Sequence, residues 1–135
     1  MGLAINTDVW LLAEKSGSSL NLARWAHQGG AYMSAITAGE LLAGVELANT
    51  AERRAQRGAF VENLLSSIPV LEFSVPVART PARMVAALPK NVTAGAHDAL
   101  IAATALHHGF ALLTRHVADF NVFAGLKVEA FSAMP

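Results

Sequence analysis

AHDALIAATALHHGFALL, residues 96–113, is the stretch that decides the fold. Ala96–His108 repeats apolar residues at helical spacing, so the pattern predicts a helix with one buried face. Gly109 is a typical helix terminator, and Phe110–Leu113 follows it as a short, wholly apolar strand. Strands that are apolar on both faces belong to parallel sheets covered by helices on both sides. The stretch therefore predicts an α/β architecture.

The same alternation of strands and helices extends toward both ends of the chain. Short apolar strands are predicted at Leu3–Asn6, Ala31–Met33, Pro69–Phe73 and Lys127–Ala130. Helices are predicted at Val9–Ala13, Ser18–Gln28, Thr37–Leu47, Ala51–Ser66 and Val75–Leu88, with a loop at Lys90–Gly95. Strands that alternate with helices form parallel βαβ units. We expect a single domain, residues 1–135, with a three-layer α/β/α fold around a short, mainly parallel sheet of about four or five strands.

Composition narrows the classes of function. Hydrophobic residues make up 53% of the chain and charged residues 15%, which is typical of a globular domain and not of a disordered one. There is no cysteine, so disulfides, thiolate catalysis and cysteine zinc sites are excluded. A net charge of zero does not favour a broad basic face for nucleic acid. Neither a membrane span nor a signal peptide is apparent, so we expect a cytoplasmic protein without a membrane partner.

Polar side chains lie near the carboxyl ends of the predicted strands. Asn6-Thr7-Asp8 follows the first strand, and Glu40 lies one turn into the helix after the second. Asp98 lies near the start of the helix that leads into the fourth strand, and Asp119 follows that strand. Acids that converge there repel one another unless a cation lies between them. Oxygen ligands favour Mg²⁺ or Mn²⁺ over zinc, and such ions activate water against a phosphate.

Each acid also has an explanation that involves no metal. Thr37-Ala38-Gly39-Glu40 has the pattern of a capping box, which would turn the Glu40 carboxylate back toward its own helix start. Asp8 is a suitable N-cap for a helix that begins at Val9. Asp98 could complement the positive end of its helix, and Asp119 could be an ordinary loop acid. The metal hypothesis depends on the acids being considered together.

Four motifs, in order, carry a resemblance to a known family that covers the chain from Ile5 to Val128. They are Asn6-Thr7-Asp8, the Ser-x-x-Thr-x-x-Glu-Leu-x-x-Gly run at Ser34–Gly44, Asp98–Leu106 with its Leu-Ile-Ala-Ala core, and the Leu-x-Thr-Arg-x-x-x-Asp-Phe run at Leu112–Phe120. In this order and spacing, the chain resembles PIN-domain toxins of the VapC type. The resemblance implies a metal-dependent ribonuclease with an RNA substrate, a cognate antitoxin and a homodimer.

The resemblance also assigns residues to the site. Its catalytic positions are Asn6, Glu40, Asp98 and Asp119, and of these Asn6, Asp98 and Asp119 would hold the Mg²⁺ or Mn²⁺ ion. The accessory candidates are Asp8, Thr114, Arg115 and His116. At position 6 this chain departs from the family, because asparagine stands where the family has its first aspartate.

The accessory candidates carry alternatives of their own. Arg115 is the best candidate to contact an RNA phosphate, and a surface salt bridge is the alternative. His116 has either a minor site role or the role of a plain loop histidine. The Asp8 side chain is expected to point toward the start of its helix and not to replace the missing acid. His97 is expected to point away from the site.

Asn6 separates the hypotheses about function. In the leading hypothesis, the chain is an endoribonuclease weakened or inactivated because Asn6 offers a neutral oxygen where aspartate offers a charged carboxylate. The alternative is a module that binds RNA or an antitoxin without cutting. A phosphatase or receiver-like protein would need an acidic nucleophile at position 6, so Asn6 argues against it.

Apolar bulk near the N-terminus motivates the partner hypothesis. Trp10, Trp25 and the leucines around them exceed what a lone domain of this size needs. We therefore expect either core packing or a groove covered by a helix or extended arm of an antitoxin. Acids beside such a groove would attract a basic side chain from the partner.

Overall fold

The computed structural model describes residues 1–17, 20–92 and 94–132. Its strands are β1 (Gly2–Ile5), β2 (Gly30–Ser34), β3 (Val70–Leu71), β4 (Ala111–Thr114) and β5 (Val128–Ala130). Its α-helices are α1 (Thr7–Ser16), α2 (Ala35–Glu46), α3 (Ala51–Ser67), α4 (Val75–Ala87), α5 (Ala96–His108) and α6 (Val117–Phe120), and a 3-10 helix covers Ala23–Gln28. No helix in these described ranges is both long and apolar enough to cross a membrane.

The sheet has five parallel strands in the order β3-β2-β1-β4-β5. β1 and β4 are neighbours in the middle of the sheet and all their residues are buried, which is why they are apolar apart from Thr114 at the end of β4. Each strand returns to the sheet through helical crossovers, as parallel pairing requires. The predicted three-layer α/β/α fold with a parallel sheet is confirmed.

Alternation along the central strands divides the core between the two faces of the sheet. Leu3 and Ile5 of β1 pack with α1, α2 and α3, whereas Ala4 packs with α4, α5 and α6. In β4, Leu113 faces the first set of helices and Leu112 the second. Two helical layers therefore meet at the carboxyl edge of the sheet, one from each face.

Two helices begin earlier than the sequence predicts. α1 begins at Thr7 and not at Val9, because Asn6 already has the extended backbone of an N-cap residue. α2 begins at Ala35 and not at Thr37, because the Ser34 hydroxyl accepts a hydrogen bond from the Thr37 backbone N–H at 3.0 Å. Both helices therefore start directly where a strand ends, which carries their first turns to the sheet edge.

The predicted helix Ser18–Gln28 is wrong in its described part, and its start at Ser18 lies outside the described residues. Only Ala23–Gln28 is helical, as a 3-10 helix. The Asn21 side chain accepts a hydrogen bond from the Ala23 backbone N–H at 3.1 Å, which offers the backbone a turn in place of an α-helical bond. Trp25 stacks on Phe131 at 5.3 Å, so tertiary packing holds this short segment.

Further differences concern short elements and the tryptophans. β3 pairs only through Val70–Leu71, at the edge of the sheet, and not over Pro69–Phe73. The segment after β4 is helical at α6, where a loop was expected. Trp10 and Trp25 are each only 4% exposed, so both belong to the protein's own core and neither is available to a partner.

Candidate active site

The candidate site lies at the carboxyl edge of β2, β1 and β4, three neighbouring strands of the sheet. β1 leads into Asn6 and the first turn of α1, and β2 leads into α2, which carries Glu40. β4 leads into Arg115 and α6, which carries Asp119. The start of α5 adds Asp98 from the opposite helical layer, where α5 contacts α2. Strand order thus brings together residues that are distant in sequence.

Thr114 is a buried residue at the centre of a hydrogen-bond network on the β1–β4 side. Its hydroxyl accepts from the Asn6 amide Nδ2 at 3.2 Å and from the His116 backbone N–H at 3.0 Å. It donates to Asp8 Oδ2 at 3.1 Å, and the same oxygen accepts from the Arg115 backbone N–H at 2.9 Å. The end of β4 is therefore tied to the start of α1 through side chains.

This network corrects the expectation for Asp8. The N-cap of α1 is Asn6, and Asp8 lies inside the first turn of the helix. Its carboxylate points to the end of β4 and not back toward its own backbone, because it accepts hydrogen bonds there from the Thr114 hydroxyl and the Arg115 N–H. His116 Nε2 lies 3.6 Å from Asp8 Oδ2, which places His116 beside the site.

Glu40 lies on the other side of the site and is held by two side chains. The Thr7 hydroxyl donates to Glu40 Oε1 at 2.6 Å, and His97 Nδ1 lies 3.1 Å from Oε2. The capping-box explanation for Glu40 is wrong, because Ser34 caps α2 and Glu40 lies in its second turn. The expectation that His97 points elsewhere is also wrong: its imidazole joins α5 to α2. No motif indicated this contact, since the two residues are 57 positions apart.

The charges of the other acids affect the pKa of Asp98. Burial raises the pKa of the Asp98 carboxyl above its ordinary value, and the negative charges of Asp119, Glu40 and Asp8 raise it further, while His116 opposes them. The four carboxylates therefore share one electrostatic environment. Because the other three carboxylates disfavour the ionised form of Asp98, a cation bound among them would relieve the repulsion.

The oxygen atoms of these side chains are the ligands that a hard divalent cation prefers, but they are not arranged around one common position. Among the residues that the structure describes, no three aspartate, glutamate or histidine side chains are already arranged to hold a metal ion. Both Glu40 oxygens have partners, and Asp119 is exposed at the surface. Asn6 Oδ1, in contrast, is a buried oxygen without a hydrogen-bond partner in a residue only 6% exposed. An unsatisfied buried acceptor at an acidic site is a ready ligand atom.

The remaining accessory candidate, Arg115, is exposed on the loop that follows β4. Its backbone N–H binds Asp8, while its guanidinium forms no ion pair with any residue in the described ranges. The alternative of an intramolecular surface salt bridge therefore receives no support. A cationic group at the rim of an acidic site is placed to meet an anionic ligand.

Comparisons with known proteins agree with this geometry. The PIN domain family matches residues 5–122. The chain is 40% identical over 134 residues to "Ribonuclease VapC1" of Rickettsia felis, with 98% of both chains covered. It superposes with a TM-score of 0.86 and 20% identity on VapBC2 from Rickettsia felis bound to a promoter DNA fragment, covering 98% of this chain and 100% of that one. For VapBC-5 from Mycobacterium tuberculosis, a member of the VapBC family of toxin-antitoxin systems, the TM-score is 0.74 with 25% identity, covering 96% and 97%. The chain therefore belongs to the PIN-domain family and, within it, to the ribonucleases of the VapC type.

Proposed function

We propose that the chain is the endoribonuclease toxin of a toxin–antitoxin pair, and that it cleaves RNA phosphodiesters with a carboxylate-held Mg²⁺ or Mn²⁺ ion. The observation that carries the proposal is the placement of Asp8, Glu40, Asp98 and Asp119 at the carboxyl edge of the sheet, near enough for the other three acids to raise the pKa of Asp98. The "Ribonuclease" relative and the toxin-antitoxin neighbour described above support the same activity. We place the activity in the cytoplasm, where its RNA substrate lies.

Asn6, Asp98 and Asp119 would hold the ion, which supplies a Lewis acid and an activated water. Glu40 is kept in one orientation, because the Thr7 hydroxyl holds one of its oxygens and the His97 imidazole lies against the other. A carboxylate fixed in this way can orient a water molecule without an entropic cost at the moment of reaction. Arg115 would bind a phosphate oxygen of the RNA backbone and position the strand.

Asn6 is expected to weaken this site. Its buried Oδ1 is a neutral ligand atom, so the site has one formal charge fewer than it would with aspartate at position 6. Loss of one electrostatic contact in a dry site lowers a rate by on the order of a hundredfold. The change from Asn6 to Asp should therefore raise both divalent-metal affinity and RNA cleavage.

The decisive experiment measures cleavage of total RNA by the purified chain and by Asn6→Asp, with Mg²⁺, with Mn²⁺ and with a chelator. We expect cleavage that requires the metal and is faster in Asn6→Asp, together with arrested growth when that variant is expressed. Glu52→Gln is the control, since Glu52 is an exposed acid in the first turn of α3. Metal-independent cleavage, or none from either chain, would contradict the proposal.

Asn6 itself favours a second candidate, a module that binds RNA or an antitoxin without cutting. Calorimetry with Mn²⁺ separates the two functions, because a nuclease must bind the ion stoichiometrically. If neither the chain nor Asn6→Asp binds the ion at millimolar concentration, the non-cutting module takes the place of the enzyme.

For the antitoxin we propose a groove between α1, α2 and α3. The groove has a volume of about 240 Å³, and Leu11, Leu41, Phe60 and Val61 contribute apolar surface to it. Glu40 also lines it, so the groove is continuous with the acidic site. A helix or extended arm could cover the apolar part and direct an arginine or lysine at Glu40.

Co-expression with the neighbouring gene tests this partner. We expect a stable complex, and we expect Leu11→Asp to break it, because Leu11 is 40% exposed and lies at the groove. Leu47→Asp is the matched control, since Leu47 is exposed at the end of α2 and does not line the groove. A chain that always elutes alone would argue against an antitoxin. Size-exclusion chromatography with light scattering on the same samples tests the homodimer that the family resemblance implies.

A further inference from the structure

The hydroxyl of Thr114 has only one hydrogen, and this limits which pairs of side chains at positions 6 and 8 can both form hydrogen bonds with it. The hydrogen is directed to Asp8, because an ionised carboxylate can only accept. The hydroxyl oxygen must then accept from its other partners, the Asn6 amide and the His116 backbone N–H. The Asn6 side chain is thereby oriented with Nδ2 toward Thr114, which leaves Oδ1 as the buried atom without a partner.

Two carboxylates would compete for the single hydrogen of this hydroxyl. With aspartate at both positions, one hydrogen would face two acceptor-only groups, and the residue at position 6 would be an unpaired buried charge. With aspartate at position 6 and asparagine at position 8, donors and acceptors balance again. The hydroxyl donates to position 6, and an asparagine oxygen in the place of Asp8 Oδ2 accepts from the Arg115 N–H. The asparagine nitrogen, in the place of Oδ1 at 3.4 Å from the hydroxyl, turns to donate to it. One acid and one amide satisfy the network in either order.

We propose that Asp8 provides the charged ligand carboxylate that position 6 lacks, and that the Thr114 hydroxyl makes positions 6 and 8 an interdependent acid–amide pair. The metal part of this proposal rests on the proposed metal-dependent function. Asp8 Oδ2 is engaged by two donors at 2.9–3.1 Å, whereas Oδ1 has only one contact, at 3.4 Å to Thr114. Oδ1 is therefore the Asp8 oxygen left to bind an ion, and Asn6 and Asp8 both contact the Thr114 hydroxyl.

Two further observations support the assignment of Asp8. Its charge contributes to the raised pKa of Asp98, so its carboxylate belongs to the same acidic cluster. Its side chain is only 15% exposed, so it is not a solvated surface acid. The buried, unpartnered oxygen of Asn6 is an observation independent of the cluster of charges, and it is an acceptor that a bound cation would satisfy.

The first test uses the metal-free protein and four chains: the unchanged sequence, Asn6→Asp, Asp8→Asn, and the exchange of both. Asn6→Asp should melt lower by on the order of 5 °C, because it buries a charge without a donor. Adding Asp8→Asn to that variant should recover most of the loss. Strict additivity of the two changes would overturn the interdependence.

The second test measures Mn²⁺ affinity of the same chains by calorimetry. Asp8→Asn should bind the ion at least about tenfold more weakly, and the exchanged chain should regain the affinity. Glu52→Gln controls for the loss of a charge in the first turn of a helix and should bind as the unchanged chain does. Equal affinity in the unchanged chain and Asp8→Asn would overturn the role of Asp8.

These outcomes can be told apart from a failure of the proposed function. If no chain of the set binds Mn²⁺ or cleaves RNA, the metal-dependent nuclease is wrong and the ligand role of Asp8 falls with it. The melting experiment still decides whether Thr114 couples positions 6 and 8, because it contains no metal. If Asp8→Asn binds Mn²⁺ as the unchanged chain does and Asp98→Asn does not bind it, the proposed nuclease function is kept and Asp8 is not one of its metal ligands.

Discussion

The two sides of the acidic site are built differently. On the β1–β4 side, Asn6, Asp8 and Thr114 are tied by hydrogen bonds at the ends of two central strands, and Thr114 is fully buried. On the helical side, Glu40 rests against His97, whose side chain is 63% exposed, and Asp119 lies at the surface. The first side is positioned by the ends of the central strands, whereas the second side depends on side chains that are more exposed to solvent.

The largest effect on RNA cleavage should come from a change at Asp98, whose pKa is raised by acids on both sides of the site. Asp98→Asn removes the carboxylate whose pKa the charges of Asp119, Glu40 and Asp8 raise. We expect RNA cleavage to fall by on the order of a hundredfold or more, measured at saturating Mn²⁺, since a neutral amide oxygen holds a divalent cation less well than a carboxylate does. The fold should be kept, so an unchanged circular dichroism spectrum is the control. Cleavage at the original rate would remove Asp98 from the site.

Thr114→Val should destabilise the rigid side. The change leaves the Asn6 amide and the His116 N–H without their acceptor, and the Asp8 carboxylate without one of its donors. We expect the free energy of unfolding in urea to fall by about 1–3 kcal/mol. Thr114→Ser retains the hydroxyl and should lose clearly less. If both variants are equally destabilised, packing and not hydrogen bonding holds this side.

His97→Ala should affect function but hardly stability, because the imidazole is largely exposed. Glu40 would lose the neighbour at Oε2 and keep only the Thr7 hydroxyl. We expect cleavage to fall by about tenfold with an unchanged melting temperature, as for a residue that orients a catalytic group. His97→Asn can still donate a hydrogen bond and should rescue part of the rate. A matching loss of melting temperature would assign His97 a structural role instead.

The smallest effect concerns pH and the metal-free protein. Burial and the neighbouring acids raise the pKa of Asp98, so ionised Asp98 disfavours the folded state. This penalty is absent below the ordinary carboxyl pKa of 3.8 and develops as the pH rises through the raised value. Asp98→Asn should therefore melt higher than the unchanged chain at pH 7, and the difference should vanish at low pH. A difference independent of pH would contradict the electrostatic explanation.

Sequence patterns predicted most of the elements and failed where local preference competes with tertiary contacts. Ala96–His108 and the strand after it have strong periodicity and a glycine stop, and they were predicted almost to the residue. Ser18–Gln28 was predicted as a helix on weaker grounds, and the packing of Trp25 on Phe131 accompanies a 3-10 helix instead. The direction of Asp8 and the contact of His97 with Glu40 depend on partners 106 and 57 positions away, so no local pattern could show them.

By itself, the sequence determined that this protein has a parallel α/β sheet, that its acids follow the strands, and that position 6 lacks a charge. These properties are local: they follow from apolar runs, helix punctuation and residue identity. Only the tertiary structure decided that Asp8 turns to the end of β4, and that Thr114 orients the Asn6 amide. Strand order sets which ends become neighbours, and a single hydroxyl hydrogen then allocates donors and acceptors among residues that the sequence keeps far apart.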